Sequence, residues 1–246
     1  MTDLAIIGGT GLTSLNELEI IKRESVDTPY GDPSGPLTYG SLFGKDVIFM
    51  PRHGAGHTIP PHKINYRANI WALKSAGVRR VIAMAAVGAI ATDFPPTSLA
   101  IPDQIIDYTW GRDSTFFDEG LEEVVHVDFS YPYDETLRQA MITACEQAGV
   151  AHCRQGVYGA TQGPRLETAA EIDKCDLDRC TMVGMTGMPE AVLARELSLA
   201  YATCAISVNW AAGRSEGEIT MADIEACMKE GTANVREMLI KLMPML

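Results

Sequence analysis

Several short clusters in this sequence carry side chains able to do chemistry, and each stands where an apolar run ends. Residues 6–11 read IIGGTG. Glycines there let the backbone approach an anion, and Thr10 adds a hydroxyl donor to free N–H groups. A dinucleotide fingerprint, and with it a nicotinamide-dependent oxidoreductase, fits poorly, because Ser14 stands where a glycine is required and no acidic strand end follows at the right spacing. Arg52-His53-Gly54 sets a guanidinium beside an imidazole, a pair suited to charge-assisted bonds to phosphate oxygens. His57 and His62 follow closely and raise the question of a metal. Gly54, Gly56, Pro60 and Pro61 prevent a helix from presenting His53 and His57 on one face, and no nearby cysteine or carboxylate completes a ligand set. No metal is expected, and His57 and His62 read as loop residues.

Three later clusters are of the same kind. In Gln162-Gly163-Pro164-Arg165-Leu166-Glu167-Thr168, Glu167 could complement the dipole at the start of a helix, or accept from the N–H groups of a bound heterocycle. Gly184-Met185-Thr186-Gly187-Met188-Pro189-Glu190 places a hydroxyl at a helix entry, with Met185 and Met188 more typical of core than of ligand contact. Ser207-Val208-Asn209-Trp210 ends an apolar run on an asparagine, which could cap a turn or offer donor and acceptor to a planar ligand edge.

The elements that must position these clusters follow from periodicity. Near-continuous apolar runs at residues 4–7, 47–50, 81–86, 99–106, 157–160, 182–185 and 201–208 predict strands covered on both faces. Helical spacing predicts helices over residues 66–77, 134–149, 189–197 and 220–242, with Asp134 and Thr220 at N-terminal positions and Gly77 and Gly149 at stops. Residues 19–49 carry more strand and turn than helix. The expectation is a single α/β domain spanning residues 1–246, with a mixed sheet surrounded by helices and its ligands at the carboxyl ends of the strands.

Composition bounds the partners. The 246 residues carry 20 Lys and Arg against 32 Asp and Glu, a net charge of −12, which argues against nucleic acid or an anionic membrane surface. A few basic groups and a helix N-terminus could still hold one phosphate. No run approaches the length of a membrane span, and the first apolar run is too short for a signal peptide. Six cysteines without a CxxC pair read as reduced thiols, so a cytoplasmic location is expected.

Taken in order, GGTG, RHG with NYRANIWAL, AVG, QGPRLET, GMTGMPEA and VNWAAG resemble the purine nucleoside phosphorylase/methylthioadenosine phosphorylase family along essentially the whole chain. The resemblance implies a mixed-sheet α/β fold, usually a homotrimer, and a pentosyltransferase that needs no metal or organic cofactor. Phosphate is the co-substrate and attacks the anomeric carbon of a purine nucleoside. By matching positions, Thr10, Arg52, His53, Ala86 through its backbone with Ala85 beside it, and Thr186 would hold phosphate. Met185 would lie under the ribose, and Leu166, Glu167, Asn209 and Ala211 would meet the base. Of these, His53 and Asn209 are the catalytic candidates. Methylthioadenosine phosphorylases carry aspartates where Asn209 and Ala211 stand, so the base site resembles the 6-oxopurine type. The 5′ end differs, because no histidine stands near Met221 and Ile224, whose apolar side chains suit a methylthio group, while His126 resembles a histidine that a neighbouring subunit lends to that pocket. The combination describes S-methyl-5′-thioinosine, with S-methyl-5′-thioadenosine or inosine and guanosine as alternative substrates.

Overall fold

The first strand explains why the centre of the sheet is buried on both sides. In β1 (Leu4–Gly8) every residue is buried. Leu4 and Ile6 join one apolar cluster while Ala5 and Ile7 join another, as period-two alternation requires. The computed structural model describes residues 2–9 and 17–246. β1 lies parallel to both β4 (Lys45–Pro51) and β5 (Arg80–Ala89). β2 (Glu19–Glu24) and β3 (Leu37–Leu42) extend this side antiparallel, so the sheet is mixed, as residues 19–49 predict.

Beyond β5 the described residues continue the sheet through β10 (Met182–Gly184), β9 (Val157–Ala160) and β7 (Gln104–Asp107), while β11 (Ala200–Trp210) runs parallel to the full length of β5. The single strand expected over residues 99–106 divides into β6 (Leu99–Ala100) and β7. Pro102 lies between them and lacks a ladder N–H. β6 pairs with β11 and with β8 (His152–Cys153), whereas β7 pairs with β9, so this stretch crosses from one arm of the sheet to another.

Helices cover both faces. α1 (Tyr66–Ser75) and α4 (Gly187–Glu196) place Ile70, Leu73, Ala191 and Leu193 against the Ala5 and Ile7 face. α2 (Glu135–Ala148) and α5 (Met221–Leu242) place Leu137, Met141, Met238 and Leu239 against the opposite face. The expected signals set their ends: the Asp134 carboxylate accepts from Leu137 N–H, Gly149 closes α2 in the left-handed conformation, and Thr220 caps α5. In α1 the cap is Asn65, one residue before the expected start. Met188 is non-helical, so regular α4 begins at Pro189, as expected. α3 (Ala169–Leu177) contributes Ile172 and Cys175 to a smaller cluster with Ala211.

The ladder leaves a gap beside the middle of β5. β5 pairs with β1 only as far as Ala83 and meets β10 only at Gly88 and Ala89. Between them, among the described residues, β5 is paired on its β11 side alone. β1 and β10 therefore splay apart and open a fork at strand ends, the kind of crevice where open α/β sheets bind ligands.

Candidate active site

A cavity of about 400 Å³ occupies this fork. It gathers Arg52, His53, Ala85, Ala86, Met185 and Thr186 together with Leu166, Glu167, Asn209, Ala211 and Met221. Thr10 lies outside the described residues. His126 is exposed and does not border the cavity of its own chain. Two anchors on β5 give the scale: Arg52 reaches the carbonyl of Met84, and Asn209 pairs beside Gly88. Four residue steps along β5 separate these anchors, about 13 Å.

Arg52 follows β4 and is 1% exposed. Its Nε donates to Glu190 Oε2 at 2.7 Å, its Nη2 to Glu190 Oε1 at 2.7 Å, and its Nη1 to the Met84 carbonyl at 2.8 Å. Burial pulls the guanidinium pKa down, but the charge and hydrogen bonds of Glu190 outweigh it and hold the pKa above its ordinary value. Gly9 makes this approach possible, since a Cβ there would stand 2.9 Å from Nη1 and 2.8 Å from the Met84 oxygen. His53 is different in kind from the charged partner its sequence position suggests. Burial pushes its pKa down to about 4, against the hydrogen bond to Ile59 and with further depression from Arg52 and His57. The imidazole is therefore neutral near pH 7. Its Nδ1 lies 2.8 Å from the carbonyl oxygen of Ile59, which fixes the proton on Nδ1 and leaves Nε2 as an acceptor. The positive charge at this end thus comes from Arg52 alone of the pair, and Glu190 offsets it. Thr186 heads α4 without capping the helix through its side chain, and its N–H lies 3.5 Å from the Tyr158 hydroxyl.

At the other end, β11 changes register on β5 between Ser207 and Asn209. A bulge of this kind re-aims side chains, and here both Val208 and Asn209 border the cavity. The Asn209 Nδ2 donates to the Trp210 carbonyl at 2.7 Å, which uses one of its two amide protons. Gly88 leaves the room this needs: a Cβ there would lie 3.3 Å from Asn209 Nδ2 and 3.4 Å from Ala211. Glu167 does not serve α3 as its first-turn carboxylate. Thr168 is the cap and Glu171 completes the capping box, while Glu167 stands outside the helix and accepts from the Thr161 hydroxyl at 2.5 Å. Met221 is two-thirds exposed and borders the cavity with Ile219 and Ile224.

The two methionines of the GMTGMPE stretch divide. Met188 is buried in the core, whereas Met185 is half-buried and lines the cavity. Three site features were not anticipated from sequence. Glu190 is the partner of Arg52; the sequence shows it at the end of the cluster over residues 184–190, with nothing there to pair it with Arg52. His57 borders the cavity with its ring centroid 4.4 Å from that of His53. Arg112 donates to the carbonyls of Met185 at 2.9 Å, Met188 at 2.6 Å and Gln162 at 2.8 Å, tying together the two loops that flank the fork.

The chain is similar to known proteins along nearly its whole length. A model of the phosphorylase superfamily matches residues 3–243. A protein of Pseudomonas syringae pv. tomato described as "Probable S-methyl-5'-thioinosine phosphorylase" is 51% identical over 243 residues, covering 99% of each chain. A 6-oxopurine nucleoside phosphorylase of Pyrococcus furiosus is 43% identical, covering 100% of this chain and 94% of its own. The structure of methylthioadenosine phosphorylase from Schistosoma mansoni with adenine matches with a TM-score of 0.94 at 30% identity, covering 100% of this chain and 92% of that one. The order of strand-end motifs, the fork they surround and these matches together make the chain a member of the phosphorylase superfamily.

Proposed function

We propose that this protein catalyses the reversible phosphorolysis of S-methyl-5′-thioinosine, yielding hypoxanthine and 5-methylthioribose 1-phosphate. The observation that carries the reading is one cavity beside β5 in which polar anion-holding groups, the Asn209 amide with the Glu167 carboxylate, and an apolar wall meet. Likeness to a 51% identical relative bearing the methylthioinosine name and to a 6-oxopurine phosphorylase supports both halves of the substrate.

In this reading phosphate binds at Arg52, His53, Thr186, the backbone of Ala85 and Ala86, and Thr10. A phosphate oxygen attacks the anomeric carbon as the bond to the purine nitrogen breaks, and the electron pair leaves with the base. Because His53 Nε2 is an acceptor, it takes a hydrogen bond from a protonated phosphate oxygen and orients the nucleophile. Asn209 meets the 6-oxo edge and the adjacent ring nitrogen, and Glu167 accepts from the ring N–H. Ala211 adds no acceptor for an exocyclic amine, so a 6-amino purine gains nothing there. Met185 packs under the ribose, and Met221 with Ile224 receives the methylthio group. No metal or organic cofactor enters this chemistry. A homotrimer in the cytoplasm, with a neighbour's His126 closing the 5′ end, completes the proposal. No helix among the described residues is long and apolar enough to cross a membrane.

Base release from methylthioinosine with and without phosphate tests the reaction class. Hypoxanthine should appear only with phosphate, and release in its absence would contradict phosphorolysis.

A further inference from the structure

We infer that Glu190, steadied by Tyr201, is the positioning residue that aims Arg52 at phosphate; this rests on the reading of Arg52 as a phosphate ligand. Arg52 and Glu190 are 1% and 0% exposed, so both ions have been taken out of water. A buried pair of this kind is weak evidence for stability, since well-packed apolar residues commonly serve as well. Its geometry is informative instead. The carboxylate grips the guanidinium through Nε and Nη2, which fixes the plane of the fork, and the Met84 carbonyl fixes the rotation through Nη1. Those contacts use three of the five guanidinium N–H groups and leave one on each Nη, and Arg52 itself borders the cavity.

Glu190 is itself held. The Tyr201 hydroxyl donates to Glu190 Oε1 at 2.8 Å, and Thr203 Oγ1 lies 3.5 Å from the Tyr201 oxygen. Tyr201 and Thr203 lie on β11, the strand that carries Asn209 at its far end. One strand thereby references both the anion end and the base end of the cavity. Electrostatics point the same way. With Arg52 offset by Glu190 and His53 neutral, this corner holds little net charge before phosphate arrives. Affinity for the anion then depends on where the remaining N–H groups point, and orientation is what Glu190 supplies.

The test is a titration of phosphate against methylthioinosine cleavage in the wild type, Glu190→Gln, Glu190→Asp and Tyr201→Phe. Glu190→Gln keeps the volume but turns an amide N–H toward the guanidinium, and should raise KM for phosphate about tenfold to a hundredfold while KM for nucleoside stays within about twofold. Glu190→Asp keeps the charge with shorter reach and should recover part of that loss. Tyr201→Phe removes only the supporting hydroxyl, so it keeps the test open if the glutamine variant does not fold; its KM for phosphate should rise about threefold. A fall in kcat or in folded protein with KM for phosphate unmoved would reduce Glu190 to a structural role and overturn the inference. A lowered KM for phosphate would also overturn it, because Glu190 would then act as a charge screen. Wild-type cleavage that ignores phosphate would strike the proposed function itself, whereas phosphate-dependent wild type with unmoved variants would strike this inference alone.

Discussion

The two ends of the cavity are built by opposite means. At the end proposed for phosphate, Arg52, Glu190, Tyr201 and Thr203 are buried and linked by hydrogen bonds across elements distant in sequence. At the end proposed for the 5′ substituent, Ile219, Met221 and Ile224 present apolar surface, and Met221 is largely exposed. The contrast teaches which part of the chemistry demands rigidity. An attacking phosphate needs fixed direction, and only partnered polar groups in a dry setting hold it. A methylthio group needs apolar area without direction, which a soft methionine at the start of a helix provides.

The largest effect should come from breaking the rigid end. Arg52→Met leaves Glu190 buried without its partner and should destabilise the fold by about 3–5 kcal/mol, read by denaturant unfolding. Comparable stability to wild type would mean that the pair is less desolvated than its burial indicates. Next comes the base edge. Asn209→Asp with Ala211→Asp should shift preference toward methylthioadenosine by about tenfold to a hundredfold in the ratio of kcat/KM values. Ala211 is 2% exposed against Ile90 and Val183, so the second aspartate should also lower stability. An unchanged substrate ratio would remove both positions from the base site.

His53 offers a test of the rigid end through pH. An unfolded histidine takes up its proton near pH 6.5, while the folded one resists until about 4. Falling pH therefore favours the unfolded chain, with stability lost progressively from about 6.5 downward and the loss complete near 4. Between pH 7 and 5 this costs about 2 kcal/mol, and His53→Gln should flatten that part of the stability profile. A profile identical to wild type would place the acid sensitivity elsewhere. The smallest effect belongs to the soft end. Met221→His should favour inosine over methylthioinosine by about fivefold to tenfold, and no change in that ratio would take Met221 out of the pocket.

Much of this division was legible in the sequence, though unevenly. Strand ends carrying Arg52, His53, Thr186 and Asn209 stood out because glycine and polar residues interrupt apolar runs, and the structure brings them to one fork. Met221 and Ile224 were legible because helical spacing sets them on adjoining positions. The partner of Arg52 was not, since 138 residues separate it from Glu190 and no periodicity records a pairing made only in the folded chain. The same holds for Arg112, which reaches loops about fifty and seventy residues away. The division of residues 99–106 escaped because hydrophobicity continues through Pro102 while the hydrogen-bond ladder does not. The register shift near Asn209 leaves no compositional mark at all.

The comparison of methylthioinosine, methylthioadenosine and inosine in steady state at saturating phosphate tests the central claim most directly. Methylthioinosine should give the highest kcat/KM, with the amino purine penalised at the Asn209 edge and the 5′-hydroxyl penalised at Met221. A higher kcat/KM for methylthioadenosine or for inosine would contradict the assignment of the base edge or of the apolar end, respectively.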